Sequence, residues 1–205
     1  MRMMFLLAVC FAFIGLCISP ASAQSRDDML AQRELGRMAS CLANRRGNDA
    51  KALYSDSYGQ SEFDRLMGEL VLGTEGCFPS GTMKLDPVAI SGALAEALIL
   101  KEGESRLTLL SMSVLGEAPP APTTQDAVAL CIVRGAPHLA AKLLETGVAT
   151  SKQQEAITAL QPVLGHCIAQ SDDAGGLQFS EYGFRSIVAI AAYRQIIAHE
   201  SNADA

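Results

Sequence analysis

Apolar positions recur along the chain at three- and four-residue intervals, and strand-like alternation is scarce, so the pattern predicts an all-α protein. Leu30, Leu35, Met38, Cys41 and Leu42 form one stripe of a helix over 29–44, with Arg33, Glu34 and Arg37 off the stripe. Asn48 is placed to cap a short helix over 49–55. Ser61 opens the next, through about Leu72, and Ser151 with Gln154 makes the matching capping box ninety residues later. Gly73 and Gly76 end the first of these two helices, while Pro162 and Gly165 disturb the second near its end. Asp86-Pro87 supplies an N-cap and a preset first position for a helix over 87–101, whose buried face is Ile90, Leu94, Ala97 and Leu98. Pro137 starts a helix closed by Gly147. Ser180 caps a last helix over 181–200 with Phe184, Ile187, Val188 and Ala191 on its stripe. Closely spaced alanines in the helices over 87–101 and 181–200 imply a tight approach, because small side chains lower the interaxial distance. The segment 106–115 fits either a helix packed back on the first half or a lone extended strand of chain, and 202–205 reads as a frayed tail.

The elements fall into two sets. Cys41 and Cys77 are 36 positions apart, and so are Cys131 and Cys167. A shift of 90 lays 35–78 on 125–168 without a gap, matching Ala39, Cys41, Ala50, Leu53, Ser61, Leu70 and Cys77 with their counterparts. Those seven identities over 44 positions carry less weight than the agreement of kind at Met38/Val128, Leu42/Ile132, Met67/Ile157 and Phe78/Ile168. Past the second cysteine the register moves by four, and 85–98 then lies on 179–192. The expected organisation is two tandem repeats of three or four short helices, 24–115 and 125–205, joined by the proline-rich spacer 116–124 (GEAPPAPTT).

Residues 1–23 read as a cleavable leader: Arg2, an apolar run over 3–18, Pro20, then Ala21-Ser22-Ala23 before Gln24. Sixteen apolar residues fall short of the roughly 20 that cross a bilayer as a helix. Without the leader, 22 acids face 15 bases, a net charge of −7 that opposes binding to nucleic acid or an anionic membrane surface. Export makes disulfides the default state of Cys41, Cys77, Cys131 and Cys167. Of three possible connectivities, Cys41–Cys77 with Cys131–Cys167 is preferred, since a duplicated unit would have closed its own bridge first; cross-repeat pairing stays open.

This layout, a leader followed twice by a cysteine late in an apolar helix, a second cysteine 36 residues on and a closing alanine-rich helix, resembles a set of uncharacterised secreted bacterial proteins with a duplicated two-cysteine helical module. The resemblance spans nearly the whole mature chain through 39–45 (ASCLANR), 129–135 (ALCIVRG) and 91–98 (SGALAEAL). It implies no activity and no site residues.

Candidate chemistry is sparse. No two of His138, His166 and His199 have the i, i+4 spacing of helix-borne metal ligands, and there is no Cys-x-x-Cys pair. His166 beside Cys167 could activate a free thiol, a reading that ends if the cysteine is bridged. Asp27-Asp28 and Asp172-Asp173 read as solvated acids, and Arg45-Arg46 as a contact to a helix dipole. Phosphate loops, nucleophile elbows and dinucleotide fingerprints are absent. With no Trp, a sugar-stacking platform or haem cage lacks its usual material. No catalytic residue, cofactor or metal is expected. The expectation is a non-catalytic exported protein, periplasmic or secreted, that serves as an interaction or structural module of the cell envelope. Its partner would be another envelope or secreted protein, held in a groove to which Tyr54, Tyr58, Tyr182 and His166 are the candidates. The alternatives are a carrier of a small apolar ligand, and a hydrolase without a recognisable motif centred on Asp172 and His166.

Overall fold

A computed structural model describes residues 26–78, 86–171 and 177–203. The expected leader over 1–23 and Asp172-Asp173 lie outside the described residues. Among those described, eight helices and no strand form: α1 (Arg26–Ala52), α2 (Phe63–Leu72), α3 (Pro87–Lys101), α4 (Glu104–Ser113), α5 (Thr124–Gly135), α6 (Pro137–Glu145), α7 (Ser151–Ala169) and α8 (Glu181–Ala203). The all-α expectation holds, and the ambiguous segment 106–115 is largely helix α4.

Several local signals act as read. Asp86 Oδ1 accepts from the amides of Val88 (2.8 Å) and Ala89 (3.4 Å), with Pro87 in the first turn. Ser180 Oγ accepts from Gly183 N at 3.0 Å, and Gly73 closes α2. Others move. The first break falls at Arg46 (φ −132°, ψ 30°), not at Asn48, and the chain runs on through a π-turn at Leu53–Ser57. Ser61 does not cap α2, whose N-cap is Glu62 without a side-chain bond. At α7 the cap is Thr150, one residue before the expected Ser151: its Oγ1 accepts from Gln153 N, and Gln153 Oε1 accepts from Ala149 N. Ala149 sits at φ 56°, a left-handed turn that delivers the chain into the helix one position early. Pro162 does not end α7, which runs on to Ala169; the proline is exposed, so the carbonyl it orphans faces water.

The core is continuous across both halves, from Leu35, Met38 and Leu42 through Leu94 and Ile99 to Ile132, Leu143, Leu160 and Ile196. Its axis is α8. Every residue from Phe184 to Ile197 is buried, because α3, α4, α5, α6 and α7 all pack on this helix. The tight approach expected from the alanines is made by α3 on α8, at Gly92. A β-carbon there would lie 2.3 Å from Cβ and 2.4 Å from Cα of Ser186, so the two backbones come closer than any side chain allows.

Burying a whole helix also buries its polar residues, which must then be satisfied. Arg185, 1% exposed, makes a bidentate pair with Glu96 of α3 (2.8 and 2.7 Å). Its remaining donors reach the carbonyls of Leu143 (2.9 Å) and Thr146 (2.8 Å) and Thr146 Oγ1 (2.9 Å), the open end of α6. Farther along, Gln195 Nε2 donates to Ser113 O (2.8 Å) and Glu117 O (3.2 Å), and Arg194 donates to Pro120 O (2.7 Å). The spacer is therefore strapped to α8. Thr123, at its end, caps α5 in a reciprocal box with Asp126.

The disulfides are Cys41–Cys77 and Cys131–Cys167, the preferred connectivity. Each closes a loop with a sequence separation of 36, constraining the unfolded chain by about 3–4 kcal/mol in the loop-entropy picture. Two such bridges point to an oxidising, extracellular compartment. No single helix among the described residues is long and apolar enough to cross a membrane.

Two outcomes test this packing. Gly92→Ala gains about 1 kcal/mol of helix propensity yet should lower the urea midpoint, since its methyl must push α3 off α8; an unchanged or raised midpoint would refute the close approach. Arg185→Leu leaves the Glu96 carboxylate unpaired and should cost about 3–5 kcal/mol, whereas Arg185→Leu with Glu96→Leu should cost clearly less than the two single changes together. Strict additivity in that cycle would show the pair to be uncoupled.

Candidate functional site

Where the two halves meet, a cleft of about 360 Å³ opens between the turn before α2, the first turns of α3 and α5, and α8. Tyr58, Phe63 and Ile190 supply its apolar lining, Pro87 and Val88 one side, and Pro122 and Thr123 another. Asp64 and Asp126 bring carboxylates to it. The local sequence explains the shape. Gly59, at φ 78°, turns the chain sharply after the π-turn, and a β-carbon there would lie 2.6 Å from Pro122 Cγ, so the spacer lies flat against this turn.

Tyr58 organises the floor. Its hydroxyl donates to Asp126 Oδ1 at 2.5 Å, and the Arg194 guanidinium stands 3.9 Å from its ring centroid. Phe63 meets it edge-on at 5.1 Å, and Tyr54 stacks behind at 6.3 Å. Asp126 is heavily used: besides the phenol, its carboxylate accepts from Thr123 N and Oγ1. Burial, then the hydrogen bond to Asp126, pushes the Tyr58 phenol well above its ordinary range, with Arg194 opposing. Burial also lowers the Arg194 pKa.

Of the four expected groove residues, only Tyr58 reaches this cleft. Tyr54 is a correction: at 2% exposure it is a core residue, its hydroxyl bonded to Ser91 O and its ring edge-on to Tyr193 at 5.2 Å. Tyr182 lies at a different, smaller cleft of about 160 Å³ with Gln32, Ser40, Glu96 and Arg185. His166 is exposed on α7, away from both clefts, and its neighbour Cys167 is bridged, so the activated-thiol reading ends. Arg45 Nη1 donates to Glu75 O, in the turn that follows α2. No group of three or more His, Cys, Asp or Glu suited to a metal occurs among the described residues.

The residues missed in the sequence are Asp126, Arg194, Pro122 and Val88. Two left a trace. Thr123 and Asp126 stand at capping-box spacing at the end of the spacer, and Arg194-Gln195 interrupts an otherwise apolar helix. Nothing local marks Val88 or Pro122, which acquire their place from helices distant in sequence.

The chain's four tyrosines are all shifted upward, Tyr193 to about 12, with burial the first cause in each. A folded-state value above the unfolded value near 10 means the fold favours the neutral phenol, and that this stabilisation is complete below about pH 10 and lost above it. Tyrosinate absorbance should therefore rise only together with loss of helical circular dichroism above pH 10. A reversible titration near 10 in the folded protein would contradict the burial of these rings.

Neither protein-family comparison, nor comparison with curated proteins, nor comparison with solved structures finds a match to this chain.

Proposed function

We propose that this protein is an exported, non-catalytic interaction module of the cell envelope, built from a duplicated two-cysteine helical unit, and that the cleft between its halves receives part of a partner protein. The observation that carries the reading is the composition of that cleft: aromatic, aliphatic and proline surface from both halves, open to solvent, around a Tyr58–Asp126 pair that is already engaged. Asp126 is held by Thr123 and Tyr58, and Tyr58 is kept protonated by burial. Groups so committed favour recognition over bond-making. The carrier alternative calls for a closed apolar cavity, and both clefts are open and partly polar.

Duplication has its own support. The register that aligns the two cysteine pairs also aligns Gly59 with Ala149, both at positive φ. The second register aligns Gly92 with Ser186, the pair that meets where α3 crosses α8. Equivalent residues touching each other are what a two-fold arrangement of two copies produces. The leader at 1–23 and the two bridges agree with export.

Val88 is 38% exposed at the cleft and lies in the first turn of α3, where an acid suits the helix dipole, so Val88→Asp should fold normally. A random-peptide display library panned on the oxidised protein should yield enriched sequences whose binding falls at least about tenfold on the Val88→Asp protein. No enrichment, or enrichment indifferent to Val88→Asp, would sink the assignment.

A further inference from the structure

We infer that the segment this cleft receives presents one apolar side chain beside a lysine or arginine. The inference rests on the reading above and concerns the chemistry of the partner. Phe63, at 9% exposure, and Ile190, at 5%, form a floor that offers nothing to hydrogen-bond. Between Pro87-Val88 and Pro122 the pocket offers a side chain mainly apolar contact, which suits an aliphatic anchor.

The charge around that anchor site is negative. Asp64 stands exposed in the first turn of α2, and the half-buried Asp126 lies in the first turn of α5, positions where the helix dipole favours a carboxylate. Of the nearby cations, one is spent elsewhere and the other offsets part of the Asp126 charge, which leaves Asp64 as the carboxylate at the mouth. Arg65 is engaged by Glu62 and Glu69 on the outer face of α2. Arg194 is buried behind Tyr58 and tied to Pro120 O. A cation entering with the ligand would thus meet Asp64 as an open partner at the mouth, with Asp126 adding attraction from across the cleft. The excess of acids over bases in the whole chain, 22 against 16, acts in the same direction at longer range.

The test compares the peptides enriched on the wild-type protein with those enriched on Asp64→Lys and Asp64→Asn, followed by fluorescence anisotropy on synthetic pairs differing only by Lys or Glu beside a leucine. The wild type should prefer the Lys member by about two- to fivefold, the range of one exposed ion pair, and lose the preference in high salt. Asp64→Asn should weaken the preference and Asp64→Lys reverse it, with unchanged circular dichroism. Enriched sequences that depend on Val88 but carry no basic residue, or a Lys preference that survives Asp64→Lys, would overturn this inference and leave the interaction reading standing. Absence of any enriched sequence would remove both.

Discussion

The buried guanidinium of Arg185 is the constraint on which the rest of the structure depends. A cation 1% exposed is tolerable only when its charge and all its donors are met, and here they are met from two other helices: the Glu96 carboxylate of α3 and the carbonyl end of α6. Satisfying that group fixes α8 against α3 and α6 in both position and rotation. Apolar packing alone would permit many arrangements of such alanine-rich helices; a bidentate pair and a capped helix end permit few.

Gly92 acts beside it. With Ser186 next to Arg185 on α8, the close approach of α3 and α8 at Gly92 lies one helical turn along α3 from the ion pair to Glu96. The crossing is therefore held by a steric and an electrostatic element at one place. From it the seam between the halves takes its shape. The first turn of α3, carrying Val88, is brought alongside Tyr58, the residue that follows the π-turn, and α8 presents Ile190 beneath both.

The far end of α8 supplies a second set of buried polar groups with a different role. Arg194 and Gln195 bind the carbonyls of Pro120, Glu117 and Ser113, so that the spacer runs along the body instead of swinging free. Prolines leave carbonyls without a regular partner, and long polar side chains on a central helix are suited to meet them. Because Pro122 packs on Gly59, the strap also forms one lip of the cleft.

Much of this was legible beforehand. The helical class, the caps at Asp86 and Ser180, the start of α6 at Pro137 and the two cystines follow from periodicity, capping chemistry and spacing, each a property of a few neighbouring residues. Where local rules failed, the competing term was tertiary or conformational: the left-handed turn at Ala149 moved a cap to Thr150, and an exposed position let α7 carry Pro162. The tyrosines show the limit most plainly. Tyr54, Tyr58 and Tyr182 look alike in sequence, yet one is core, one lines the seam and one borders a separate cleft, because burial depends on which helix lies opposite. The sequence by itself determined the helical class and a preferred cystine pairing, since periodicity, capping and cysteine spacing are properties of the chain alone. Only the tertiary structure decided that α8 is the axis, that Arg185 is buried and that a cleft forms at Tyr58, because these are set by contacts between residues far apart in the chain.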